Sequence, residues 1–197
     1  MGTEPLVKGS AIREFAHWYE GRFGRDYVRG VVERLGPAMR DQLFVDRQAL
    51  GIVATEWYPS EIVHAILDAV SEGKSDDEMG RLVREATEFT VRRLSRGLYK
   101  LLFRMVGSPG LYAKHVQRAW SSLHTTGTRR VVIGDSEAES IIEDWPGHHR
   151  WLCLVTMETM RSVFEIMGCR DVQLERLSCV HDGADRCRAR LRYAEPR

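Results

Sequence analysis

The 197-residue chain contains no apolar run of the roughly 18 residues that a membrane span needs, so no membrane-spanning helix is expected. It has almost no net charge. Its 29 Lys and Arg against 28 Asp and Glu leave +1, which gives no general electrostatic pull toward nucleic acid. The opening Met1-Gly2-Thr3-Glu4-Pro5-Leu6 has no apolar core of a secretory signal and no Ser or Thr at position 6 for myristoylation, which points to a cytoplasmic protein. Enzyme signatures are missing as well: there is no GxSxG, GxxxxGKS/T, HExxH or GxGxxG. Glu143 and Asp144 are chain neighbours without an acid–base partner. A non-enzyme is therefore expected. Cysteine is scarce and displaced to one end, with Cys153, Cys169, Cys179 and Cys187 all in the last quarter. In a chain without a secretory signal, such thiols are reduced or hold a metal.

What is present describes an ordinary globular protein, with 43% hydrophobic and 29% charged residues. No repeat or linker divides it, so 1–197 reads as a single ligand-binding domain. The period of the apolar residues divides it into a helical part, 1–124, and a mixed part, 125–197. Ile12, Phe15, Ala16, Tyr19 and Phe23 mark a first helix. Tyr27, Val31, Val32 and Leu35 mark a second, ending at Gly36-Pro37. Pro59 opens a third through Ile62, Val63, Ile66 and Leu67. Ser75-Asp76-Asp77-Glu78 is a capping box before a long helix through Leu82, Phe89, Leu94, Leu98, Leu101 and Met105. A fifth helix carries Tyr112, His115, Val116 and Trp120. Short strands follow at Arg130–Ile133 and Ser140–Ile142, then a helix from His149 to Met167 closed by Gly168. Two last strands, Val172–Val180 and Arg186–Tyr193, flank the loop His181-Asp182-Gly183-Ala184-Asp185. The expected fold is α+β: a helical layer of about five helices on a small antiparallel sheet, with one further helix.

Cys179 and Cys187 flank that hairpin loop. By period two, Cys187 shares an inward face with Ala189, Leu191 and Tyr193, while Arg186, Arg188, Arg190 and Arg192 share the other face. Cys179 shares parity with Leu177, and Cys153 on the preceding helix reaches the pair from above. Tetrahedral zinc needs such a convergence plus a fourth ligand, and three buried apolar thiols satisfy the same pattern. The four arginines read as a solvated face, or as the guard charges of an edge strand. His148 and His149, taken as helical neighbours, diverge rather than converge. Phe103, Tyr112, His115, Trp120, Met157, Met160 and Phe164 are the candidate lining of an apolar pocket, as large, flexible or aromatic side chains suit a site that opens and refills.

The tail from Gly168 through Glu175-Arg176-Leu177-Ser178-Cys179 to Asp182-Gly183-Ala184-Asp185-Arg186-Cys187 resembles the end of 4-vinyl reductase-type domains. Their superfamily includes effector domains of aromatic-sensing bacterial activators, TRAPP vesicle-tethering subunits and heme–nitric oxide/oxygen-binding domains. Trp57-Tyr58-Pro59 and Tyr99-Lys100-Leu101-Leu102 resemble a myxobacterial paralogous family of unknown function. The resemblance implies a sensory or adaptor domain that binds a small apolar molecule and signals through a partner protein. A TRAPP-like interaction module is the alternative, and a homodimer is expected. It also implies zinc at Cys153, Cys179 and Cys187. The relatives' fourth ligand, a Glu three residues before the first tail cysteine, is Arg176 here. Cys169, His181 or a redirected Glu175 are the substitutes at hand. Heme is not expected: the relatives' Tyr-x-Ser-x-Arg string has as its nearest counterpart Tyr58-Pro59-Ser60-Glu61-Ile62, which lacks the Arg and precedes His115.

Overall fold

A computed structural model of the chain describes residues 4–96 and 107–195. Its elements run β1 (Leu6–Lys8), α1 (Gly9–Phe23), α2 (Arg25–Glu33), the single turn α3 (Pro37–Arg40), a 3-10 turn (Gln48–Gly51), β2 (Trp57–Pro59), α4 (Ser60–Ser71), α5 (Asp76–Arg96), α6 (Pro109–Ser121), β3 (Thr128–Gly134), β4 (Glu137–Glu143), α7 (Arg150–Ile166), β5 (Arg170–Ser178) and β6 (Cys187–Ala194). This is α+β, as the change of period implies. The capping box closes both ways: Ser75 N–H donates to Glu78 Oε2 at 2.7 Å, and Glu78 N–H donates to Ser75 Oγ at 3.3 Å. The upper stretch of the long helix expected beyond Arg96, with Tyr99-Lys100-Leu101-Leu102 and Phe103, lies outside the described residues.

Two expectations are corrected. Strands also occur in the helical part, where β1 and β2 pair antiparallel with Val7 opposite Tyr58. Three residues are too few to show an alternating period. What holds them is tertiary: Val7 bridges His124, and Leu6 N–H donates to Thr125 Oγ1 at 2.8 Å. These contacts tie the chain start to the entry of the sheet. The second correction concerns β6, which is central and not an edge, since the sheet order is β3-β4-β6-β5. Its arginines meet glutamates of the flanking strands. Arg188 reaches Glu139 at 2.6 Å, Arg190 reaches Glu137 at 3.8 Å and Arg192 reaches Glu175 at 3.8 Å. These pairs are diagonal, each arginine reaching a glutamate two residues from its register partner, and such pairs contribute a few tenths of a kcal/mol to about 1 kcal/mol each.

The other face of the sheet is covered by α6 and α7. Helix α7 packs on α5 through a buried ion cluster, in which Arg161 binds Glu158 at 2.5 Å, Glu165 at 2.5 Å and Glu88 at 2.6 Å. Burial works against the Arg161 cation, but its bonds to Glu158 and Glu88 outweigh this and raise its pKa. Gly9 is required where α1 starts, because a Cβ there would penetrate the Val53 carbonyl oxygen. We expect Gly9→Ala to destabilise by about 2–3 kcal/mol, as overpacking does. Gly21→Ala, in the same helix with open space around it, should stabilise by about 0.5–1 kcal/mol. Urea denaturation of the two variants checks the contrast.

Candidate metal centre

The hairpin between β5 and β6 is short and folded back on itself. Cys179 ends the first arm, and its carbonyl accepts from Asp182 N–H at 3.0 Å and Ala184 N–H at 3.2 Å. Gly183 takes φ 87°, the left-handed conformation that lets the chain turn. Cys187 opens β6 with its side chain on the inner face, beside Cys179: the two sulfurs lie 3.7 Å apart. Above them, α7 begins at Arg150, capped by the His149 ring, which accepts from Trp151 N–H at 3.3 Å. Cys153 lies in its first turn and brings a third sulfur to 4.0 Å from Cys179. All three thiols are buried.

The fourth group comes from the loop before α7. His148 Nε2 sits 3.4 Å from Cys179 Sγ, and the ligand atoms of His148, Cys153, Cys179 and Cys187 all lie within 4.8 Å of one another. Zinc with sulfur at about 2.3 Å and nitrogen at about 2.0 Å, in tetrahedral geometry, spaces its sulfurs about 3.8 Å apart and each sulfur about 3.5 Å from the nitrogen. The Cys179 separations of 3.7, 4.0 and 3.4 Å lie close to those spacings, and the remaining pairs stay within 4.8 Å, so the donor set fits a site with four protein ligands after a small contraction.

His148 reaches the sulfurs because its loop is fixed from the other side. Gly147 lies so close to the chain start and α4 that a Cβ would be 3.1 Å from Pro5 Cβ and 3.3 Å from Ser60 Cβ. Its carbonyl is 3.0 Å from His64 Nε2. His149 points away from His148, placing Nε2 3.0 Å from Asp68 and stacking on His64 at 5.1 Å. The two adjacent histidines do diverge, as expected of neighbours, and that divergence sends one to the cysteines and the other to α4.

The four groups are also coupled electrostatically. Hydrogen bonds from Cys153 and then Cys187, with the His148 imidazole, hold the Cys179 thiol far below the ordinary range. Contact with Cys179 and then Cys187 pushes the Cys153 thiol up. Burial opposes the His148 cation, yet its hydrogen bonds to Cys179 and Cys187 raise it to about 9. The metal-free cluster thus already favours a thiolate, the form that binds metal.

The other candidate fourth ligands lie elsewhere. Cys169 packs in a separate core cluster with Phe164 and Tyr193, His181 is exposed, and Glu175 is exposed near Arg192. Arg176, standing at the relatives' Glu position, pairs with Asp182 at 3.3 Å.

The candidate pocket residues are spread over two core clusters. Trp120 and Met157 belong to one; Tyr112, Met160 and Phe164 belong to the other. Tyr112 stands edge-on to Phe164 at 5.5 Å, and Trp120 stacks on His124 at 4.0 Å. His115 is half-buried on α6. Phe103 lies outside the described residues. The described cavities lie elsewhere. One is an open cleft of about 570 Å³ between the α2–α3 turn and α4; the other is an enclosed space of about 30 Å³ between α1, α2 and α4.

Neither a family model nor a curated protein matches the chain. Solved structures do. An unliganded Fe(II) H-NOX protein variant from K. algicida superposes with a TM-score of 0.68 at 15% identity, covering 96% of this chain and 97% of that one. An S. oneidensis H-NOX protein in the Fe(II)NO state gives 0.67 at 14% identity, over 96% and 100%. An oxygen-binding H-NOX domain related to soluble guanylate cyclases, in its oxygen complex, gives 0.65 at 14% identity, over 96% of both. The chain has the H-NOX fold. At these identities the likeness concerns the fold alone. The presence of iron in these H-NOX neighbours counts against the expectation that heme has no place here. Among the described residues, no helix is long and apolar enough to cross a membrane.

His124 supplies a pH signature independent of the metal ligands. Burial first, then the positive charge of Arg129, push it down to about 3. The unfolded chain therefore binds a proton near pH 6.5 that the native state refuses. Stability should be full above pH 6.5 and fall toward pH 3, with a limiting slope of about 1.4 kcal/mol per pH unit. His124→Phe keeps the ring stack and should flatten that slope in urea titrations between pH 4 and 6.5.

Proposed function

We propose that the chain is a sensor-type ligand-binding domain on the H-NOX fold, with zinc held by His148, Cys153, Cys179 and Cys187 as structural support. The observation that carries the metal reading is the mutual spacing of the four donor atoms. Four protein ligands leave no open coordination position, which suits a structural ion rather than a catalytic one. When bound, such an ion cross-links the hairpin, the start of α7 and the His148 loop. The 4-vinyl reductase-like tail favours the same three cysteines, with His148 replacing the missing Glu. The sensor reading rests on the fold likeness, which supports a function more weakly than a site does. Under this reading the domain is not an enzyme. It takes a small apolar molecule, forms a homodimer and passes its signal to a partner protein.

A second reading, a heme gas sensor, is favoured by the fold and by half-buried His115 on α6. An absorption spectrum of protein reconstituted with hemin separates the two: a stoichiometric Soret band abolished by His115→Ala establishes the second reading.

Elemental analysis tests the metal directly. Protein purified without chelator should carry one zinc per chain. Cys153→Ser, Cys179→Ser and Cys187→Ser should each lose it and melt well below wild type, while Cys169→Ser should keep it. Wild-type protein without metal contradicts the reading. Native mass spectrometry of the same sample reads subunit number and any bound small molecule.

A further inference from the structure

Arg129 is buried, at 7% exposure, on the inner face of β3. Its Nε donates to Ser140 Oγ at 3.2 Å and its Nη2 to the Thr156 carbonyl at 3.4 Å. The Tyr112 ring, 6.0 Å away, is at the outer limit of a cation–π contact. Among the described residues no carboxylate lies within ion-pair distance, whereas the equally buried Arg161 has three. Residues 97–106, Gly-Leu-Tyr-Lys-Leu-Leu-Phe-Arg-Met-Val, contain no Asp or Glu to supply one. Two neutral hydrogen bonds do not compensate a buried guanidinium, because a charge taken out of water needs an opposite charge nearby.

The sheet register shows where that charge is. Arg129 is opposite Ile142, and Ile142 is opposite Cys187, so cation and thiol share one cross-strand row. Both anchors of the guanidinium border the metal centre too. Thr156 is three residues after Cys153, on the same face of α7. Ser140 is opposite Ala189, two residues along β6 from Cys187. Thr156 is one helical turn, roughly 5–6 Å, from the Cys153 position, and Ser140 is a diagonal cross-strand neighbour, roughly 7–8 Å, of Cys187. Three thiolates and a neutral imidazole around a divalent ion carry one net negative charge.

We propose that Arg129 is the internal counter-cation of the filled centre, a positioning residue that holds no metal itself and sets how tightly the anionic site keeps its ion. This rests on the metal reading above. A plain structural role for Arg129 makes the opposite forecast for the metal-free protein, because losing two hydrogen bonds can then only destabilise.

The test compares wild type with Arg129→Met and Arg129→Gln, the latter keeping hydrogen-bonding capacity without charge, and with Arg129→Lys. Zinc affinity is read by competition with a chromogenic chelator, and melting temperature with and without zinc. Arg129→Met and Arg129→Gln should weaken zinc roughly tenfold to a hundredfold, the size expected of one unit charge at this range in a protein interior. Arg129→Lys should remain within about fivefold of wild type. Without zinc, the two neutral variants should melt no lower than metal-free wild type, reversing their order in the loaded protein. If Met does not fold, Gln carries the comparison; failure of both neutral variants to fold in the absence of zinc contradicts the proposal. Zinc held equally by wild type and the neutral variants overturns this inference alone. Wild type that binds no zinc overturns the metal reading and this inference with it.

Discussion

Three buried sulfurs and one imidazole nitrogen, brought within 4.8 Å of each other by separate segments, are the constraint on which this architecture turns. None of those segments is ordered by its own propensity. The hairpin loop is five residues of turn-forming sequence. The His148 loop is irregular, and α7 begins there with only a histidine ring as its cap. A shared ion, if bound as proposed, would fix all three at once, since zinc in small domains provides on the order of 10–16 kcal/mol of apparent binding energy. The same loop is pinned from behind, where Gly147 and His149 meet His64, Asp68 and Ser60 of α4. The centre therefore sits where the helical layer and the sheet meet.

The rest of the molecule is arranged around this seam. The outer face of the sheet is stitched by Arg–Glu pairs across β4, β6 and β5, and the buried positions of its inner face are apolar except for Ser140 and Arg129. Helix α7 is held to α5 by the Arg161 cluster and to the sheet by Met160 and Phe164.

Much of this was legible in the sequence. Period two placed Cys187 inward and its arginines outward, and the turn signal at Gly183 brought Cys179 beside it. Helical spacing located α1, α4 and α7 within a few residues, and the Ser75–Glu78 box marked the start of α5. His148 was not legible, because taking the two histidines as helical neighbours hid the fact that both precede the helix. With α7 starting at Arg150, His148 falls in a loop five residues before Cys153 and is free to turn back. Strands β1 and β2 were invisible because their order comes from Thr125 and His124, far along the chain. The apolar residues proposed as a pocket lining are spaced as any core would be, and spacing alone does not separate a cavity from a packed interior. Arg129 gave no signal either, since its burial depends on which face of β3 meets α6 and α7.

X-ray absorption at the zinc edge of protein purified without chelator tests the central claim most directly. The account predicts a first shell of three sulfurs near 2.3 Å and one nitrogen near 2.0 Å, with one sulfur lost in Cys153→Ser. A shell of oxygens and nitrogens alone, or a sample without zinc, would contradict it.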